Sequence, residues 1–189
     1  TTETIFLAVF GYFFLKEKIN LITFISIVLG MSGVLLIVGS SLSIQSSEQF
    51  LGNIVAFVMP ISFAILVMIV RKYPSVDMVP AQFTAGIAAA VIGFLVAGKL
   101  SISPHDLFLA LMAGFFQIGF GFILITIGSR TTPAAVVGVL MLTESVFGPL
   151  WAWLFINEIP PTSVLIGGSI IIFSILLQSF YTNYSKKIS

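Results

Sequence analysis

The chain has 189 residues, 58% of them hydrophobic and only 8% charged, with 19 Phe, no Cys and a net charge of +1, and its mean hydropathy is +1.17. A soluble domain carries about a quarter charged residues, and a globule this small has too much surface to hide so many apolar ones, so lipid must be part of the solvent. Near-neutral charge without a basic run excludes a nucleic-acid surface, and the lack of Cys excludes disulfides, thiolate metal sites and cysteine nucleophiles.

A bilayer core takes about 20 apolar residues per helix. Residues 1–15 are too short for that and begin on Thr, without a cap or a basic leader, so they read as the second part of a truncated span rather than as a signal peptide. Full spans follow at 19–39, 51–70, 78–98, 106–128, 133–156 and 161–181. Their lengths predict helices, because barrel strands are about 10 residues long and alternate. Ser46 with Gln49 makes a capping box before the second full span. Ser103-Pro104-His105-Asp106 supplies an N-cap, a first-turn proline and a first-turn acid, and Thr132-Pro133 gives the next span a cap and a proline. The fold class expected is an all-α polytopic membrane protein, a helical bundle of six full transmembrane helices and one truncated one.

Basic residues set the orientation. Lys16, Lys18, Arg71, Lys72, Arg130, Lys186 and Lys187 fall in gaps on one side, and only Lys99 on the other. That asymmetry predicts a cytoplasmic C-terminus and an external 40–50 segment, in a cell (plasma or inner) membrane crossed several times. The sequon Asn183-Tyr184-Ser185 then lies on the cytoplasmic side and reads as chance.

Two pentapeptides echo each other, TETIF at 2–6 and TESVF at 143–147. The offset of 141 that superposes Glu3 on Glu144 also brings Thr2 onto Thr143, Phe6 onto Phe147, Phe14 onto Phe155 and Glu17 onto Glu158. Each copy continues into another span, 19–39 or 161–181. Yet Glu17 falls in a cytoplasmic gap and Glu158 in an external one. The two units are therefore inverted, as in transporters whose site lies at the midplane between the halves. Carried back by the same offset from Leu51, the first unit would begin roughly 90 residues before Thr1, room for three helices and part of a fourth at about 20–25 residues each. The expected whole is a ten-helix inverted-repeat (5+5) transporter. Within it, 1–39 ends the first repeat, 40–50 is an external linker, 51–181 is the second repeat and 182–189 a cytoplasmic tail.

The stretch TTPAAVVGVLMLTESVFGPLWAWLFINEIPPTSVLIGG resembles the end of the EamA repeat of the drug/metabolite transporter superfamily. That pattern is a helix with a mid-span Glu, aromatic and Leu-rich residues, a turn ending in Glu, and a Gly-bearing final helix. Glu144, Phe155, Asn157, Glu158, Gly167 and Gly168 stand at the matching places, and Glu3, Phe14, Glu17 and Gly30 match in the first unit. Many members have Pro directly after the mid-helix Glu; here Ser145 stands there, with Pro149 four residues on. The resemblance implies export or exchange of small metabolites by alternating access.

Glu144 lies near the middle of its span. A carboxylate ionised toward lipid costs roughly 2.5–3.5 kcal/mol or more, so it is expected to face the protein interior or to carry a proton. That suits a proton-coupling group or a partner for a cationic or amine-bearing substrate; the alternative is a structural hydrogen bond to another helix. Glu3 is the symmetric case. Leu140, Met141, Glu144, Gly148, Trp151 and Phe155 share a helix face, on which Gly148 opens space beside the acid and Trp151 can wall a cavity. Gly114, Gln117, Gly121 and Gly128 share another. Close helix packing is the expected use of these glycines, while Gln117 lines a pore or bonds a neighbouring helix. Asn53, Pro60 and Ser62 form a third polar set, with Pro60 marking a kink. Gln82 and Thr84 line or pack, and Ala85, Gly86, Ala89, Ala90 and Gly93 make a small-residue packing seam. Glu17 and Glu158 read as turn residues that hold helix hairpins, Trp153 and Tyr181 as interface anchors, and His105 as a first-turn residue rather than a ligand.

No Lys or Arg lies mid-span, which disfavours phosphate-bearing substrates. No HExxH, paired Asp or Ser–His set offers an enzyme its chemistry. The expected function is a secondary transporter that exports a small neutral, zwitterionic or cationic metabolite by alternating access, with proton coupling through Glu144 as one mode, no cofactor or metal, and no nucleic-acid partner. The alternatives are a non-transporting membrane assembly or scaffold module, indifferent to Glu144→Gln, and an intramembrane enzyme. Monomer and homodimer fit the sequence equally.

Overall fold

The computed structural model describes residues 2–39, 55, 57–98 and 102–188. Among them the long elements are all helices: α1 (Glu3–Phe14), α2 (Leu21–Gly39), α3 (Val58–Lys72), α4 (Val79–Val96), α5 (Pro104–Met112), a π-helical stretch (Ala113–Phe120), α6 (Gly121–Ser129), α7 (Ala134–Met141), α8 (Thr143–Ile156) and α9 (Thr162–Ile188). Five stretches are long and apolar enough to cross a bilayer: Leu21–Gly39, Val79–Val96, Pro104–Ser129, Ala134–Phe155 and Thr162–Asn183. The chain is a polytopic helical membrane protein. The expected span 51–70 overlaps α3, whose 15 residues are not among those five stretches; residues 51–54 and 56, and the capping box at Ser46 and Gln49, lie outside the described residues.

Helix ends follow local chemistry where the sequence supplies it. Ser103 caps α5 by accepting from the Asp106 N–H (3.1 Å) and donating to Asp106 Oδ2 (2.7 Å), with Pro104 in the first turn. α1 and α8 end alike. Lys16 and Asn157 are the two described non-glycine residues with positive φ, 54° and 57°. Each folds the chain back so that the following N–H reaches a carbonyl six residues earlier, Glu17 to Gly11 at 3.1 Å and Glu158 to Ala152 at 3.4 Å. This satisfies acceptors that a helix end leaves open.

The chain divides into two compact units, residues 1–69 with 132–189, and residues 70–131. In the first, Leu7, Ala64, Val67, Met68, Ala134 and Val137 form one buried cluster, and Val34, Leu142 and Ile171 a second. Two antiparallel helix pairs make the close contacts. In α2 and α9, a Cβ on Gly33 would stand 2.6 Å from the Gly167 carbonyl oxygen, and one on Gly167 would stand 2.5 Å from that of Gly33. Further along the same pair Ser174 Oγ donates to the Ser26 carbonyl (2.6 Å). In α1 and α7, Thr4 Oγ1 donates to the Gly138 carbonyl (2.9 Å), and a Cβ on Gly11 would meet the Ala134 Cβ at 3.0 Å. In lipid no hydrophobic force draws helices together, so small residues and buried hydroxyls supply the association through close van der Waals packing and hydrogen bonds.

The second unit is thinner. Neither α4 nor α5 nor the π-helical stretch buries a residue. Gln82 Nε2 donates to Thr126 Oγ1 and so ties α4 to α6, which resolves Gln82 as a helix–helix contact. Arg130 pairs with Asp77 at 2.8 Å, and Arg71 Nη1 donates to the Arg130 carbonyl at 3.2 Å.

Candidate functional site

The span 134–155 is interrupted at its middle. α7 ends at Met141, Leu142 forms a turn, and α8 starts at Thr143. At the interruption the Leu142 N–H bonds the Val139 carbonyl (3.2 Å) and the Ser145 N–H bonds the Leu142 carbonyl (3.0 Å), the tighter three-residue spacing usual at helix termini. Thr143 Oγ1 donates to the Leu140 carbonyl, a back-bond of the kind that bends helices. With the Leu142 N–H turned to Val139, the Gly138 carbonyl takes the buried Thr4 hydroxyl. Leu142 itself is fully buried beside Gly30.

This break puts Glu144 in the first turn of α8, where open N–H groups and the helix dipole favour negative charge. Interrupted helices are where membrane carriers present polar groups at depth. Glu144 is exposed, and beside it Gly148 has no atom within 4 Å of where a Cβ would stand. Aromatic rings continue the surface: Phe147 stacks on Trp151 with centroids 6.1 Å apart, and Trp151 lies 5.6 Å from Phe155. A carboxylate, a gap and a run of ring faces make a surface suited to a cationic or amphipathic small molecule, the carboxylate through charge and the rings through stacking or cation–π contact.

The other expected site residues are distributed as follows. Glu3 is half-buried in the first turn of α1, in the same unit as Glu144. Gln117 is exposed, in the π-helical stretch of the second unit; such stretches recur at functional sites. Asn53 lies outside the described residues. The expected close packing at Gly114, Gly121 and Gly128 is not found, since a Cβ on any of them would meet nothing within 4 Å. The seam at Gly86 and Gly93 is likewise open. Close approach falls instead at Gly11, Gly30, Gly33, Gly138 and Gly167.

Residues that the sequence reading passed over carry much of the polar structure. Thr4, Ser26 and Ser174 are fully buried and Gln178 nearly so, at 1% exposure. Gln178 Nε2 donates to Thr182 Oγ1 at 3.2 Å, and Tyr181, expected only as an interface anchor, accepts from Asn20 Nδ2 through its hydroxyl. A signal was available: Ser174, Gln178 and Thr182 recur at four-residue spacing, one face of a helix. The cap of α7 is also a correction. Pro133 occupies the N-cap position and makes no side-chain cap bond, and the Thr132 cap is not formed. The Ala134 N–H donates instead to Glu17 Oε2 at 2.8 Å, from 117 residues away in sequence.

Comparison with known proteins adds the family. The model of the EamA-like transporter family matches residues 47–180. An uncharacterized transporter of Methanothermobacter thermautotrophicus is 30% identical over 183 residues, covering 87% of this chain and 50% of that protein. An uncharacterized transporter of Clostridium kluyveri is 27% identical over 189 residues, covering 92% of this chain and 61% of that protein. The chain thus spans about half to three-fifths of the length of these curated relatives. No solved structure matches it. With a family match over more than half its length, an interrupted mid-span helix and a mid-span acid, the chain belongs to the EamA-like transporter family.

Proposed function

We propose that the chain is part of a secondary carrier built of two inverted five-helix units, which exports a small neutral, zwitterionic or cationic metabolite by alternating access. The observation that carries this reading is a correspondence between the sequence repeat and the contacts. The offset of 141 carries Ser26 onto Gly167 and Gly33 onto Ser174. These four residues pair across α2 and α9, as Ser26 with Ser174 and Gly33 with Gly167. A set of contacts that exchanges with itself under the repeat offset, along antiparallel helices, is what a twofold axis between two inverted units generates. The same offset carries Lys16 onto Asn157, and the Glu17 to Gly11 bond onto the Glu158 to Ala152 bond.

In this reading Glu144, Gly148 and Trp151 face the transport pathway, with Glu3, Gln117 and Asn53 as further polar contributors. Glu144 binds either a proton or the amine of the substrate. Its position in the first turn of α8, at the break, lets a small bend there change what the carboxylate faces. The basic residues Lys16, Arg71, Lys72 and Arg130 stand on the cytoplasmic side, in the cell membrane.

The test uses the full-length protein. Metabolites that accumulate outside overproducing cells identify the substrate, and the purified carrier in vesicles is then assayed for substrate-driven pH change. Wild type is expected to move protons with substrate, and Glu144→Gln to lose that movement. Unaltered proton movement in the variant removes Glu144 from the mechanism. Labelling that finds the Glu17 and Glu158 turns on the same side of the membrane removes the inverted architecture.

A further inference from the structure

α7 is unusual in how it starts. Its N-cap is Pro133, whose ring carries no acceptor, yet the first helical N–H, that of Ala134, is bonded. The acceptor is the half-buried carboxylate of Glu17, in the turn after α1, at 2.8 Å. Gly11 makes room for it, because a Cβ there would stand 3.3 Å from Glu17 Oε2 as well as touching Ala134. The positive φ of Lys16 and the bond from the Glu17 N–H to Gly11 fix the backbone that aims the carboxylate. A carboxylate on open N–H groups at the positive end of a helix forms a strong, charge-assisted contact. It joins the end of one helix to the start of the helix that leads, through the break at Leu142, to Glu144.

From this geometry we infer that Glu17 is a positioning residue of the carrier: its carboxylate latches the start of α7 to the first-repeat turn, and the latch must release each time that end of the α1–α7 pair opens. The inference rests on the alternating-access reading. Glu158 has the same local backbone, with Asn157 at positive φ and the matching six-residue bond. It occupies the corresponding place at the other end of the repeat. A latch fits better than a static cap for a physical reason. The acceptor comes from another helix, so separating α1 from α7 leaves the Ala134 N–H and the carboxylate free for water, and both ends of the motion are satisfied.

The experiment measures access rather than transport. In the full-length protein, with Thr132→Cys as the only thiol, the rate of modification by a membrane-impermeant maleimide is read from the side of the Lys16 turn. A parallel sample carries Ile159→Cys, read from the side of the Glu158 turn. In the Thr132→Cys background Glu17→Ala is expected to raise labelling at 132 about fivefold, the scale of a lost helix cap. Glu17→Gln, which keeps an acceptor without the charge, is expected to fall between Glu17→Ala and wild type, and labelling at 159 should be no faster. Unchanged labelling at 132 in both variants overturns the latch, and equal acceleration at 132 and 159 overturns it too, as general loosening. Labelling needs no substrate, so a failure to detect flux counts against the carrier reading alone.

Discussion

Two neighbouring spans, Pro104–Ser129 and Ala134–Phe155, look alike as sequence and differ as structure. Both are apolar, both carry one costly polar group near the middle, Gln117 or Glu144, and both carry glycines on one face. Within its unit the second span buries six successive residues, Ala134 to Val139, and Gly138 lies against Thr4. The first buries nothing from Pro104 to Phe120, and its glycines at 114 and 121 meet nothing within 4 Å. Composition cannot separate the two, because lipid tails are as apolar as leucine and a glycine face costs little against them. What separates them is where a neighbouring helix meets the glycine face: Thr4 of α1 lies against Gly138, whereas the span 104–129 is bonded to α4 near its end, at Thr126, away from Gly114 and Gly121.

Glycine substitution tests that distinction most directly. Gly33→Ala or Gly167→Ala places a Cβ 2.6 or 2.5 Å from a backbone oxygen, well inside van der Waals contact. Backbone cannot swing aside like a side chain, so α2 and α9 must separate. The expected loss is about 3 kcal/mol, the upper part of the range for overpacking, read as a lower unfolding temperature of the detergent-solubilised full-length protein. Gly114→Ala and Gly121→Ala meet open space and should stay within about 0.5 kcal/mol of wild type or gain helix propensity of up to about 1 kcal/mol. A loss at Gly114 as large as that at Gly33 would mean that the π-helical face is packed against protein in the working molecule.

The same distinction explains what could be read in advance. Ser103-Pro104-Asp106 was legible because its hydrogen bonds close within four residues. TETIF and TESVF show an offset of 141 because they keep their acids, and the same offset relates Lys16 to Asn157, whose positive φ gives no residue-type signal for Lys. The cap of α7 was misread, since the sequence offered Thr132 nearby and the structure uses Glu17 from 117 residues away. Glycine roles were misassigned for the reason already given: register identifies a face but not what covers it. Glu144 stands out in the sequence by its cost in lipid; the helix break beside it does not, because it depends on Thr143, on Thr4 and on the packing of Leu142 together.

Buried hydroxyls give intermediate effects. Thr4→Val keeps the shape and removes the donor to the Gly138 carbonyl, and Ser174→Ala does the same to the Ser26 carbonyl. Each should cost about 1 kcal/mol, between the average for a hydrogen bond between membrane helices and that for a buried carbonyl left bare. The two sites lie on different helix pairs, so the double variant should lose close to the sum. A combined loss well beyond the sum would couple the α1–α7 contact to the α2–α9 contact, as a shared hinge at Leu142 requires, since Leu142 packs in the cluster with Val34 and Ile171.

The pair between Asp77 and Arg130 should matter least for stability, although its 2.8 Å distance is among the shorter polar contacts. Asp77 is 64% exposed and Arg130 28%, so water competes for both charges and holding two side chains in one geometry costs entropy. Exposed pairs of this kind contribute about 0–1 kcal/mol. Asp77→Asn is therefore expected to shift the unfolding temperature only slightly at low salt and less still near about 1 M salt, where the screening length falls to about 3 Å. Arg130 does more through its backbone, because its carbonyl accepts from Arg71 Nη1 and that bond survives the loss of Asp77. Arg71→Met should consequently cost more than Asp77→Asn, and the difference should persist in high salt. If instead both losses vanish together with added salt, charge rather than hydrogen-bond geometry holds the Arg71, Asp77 and Arg130 turns together, and the second unit owes its order at that end to electrostatics alone.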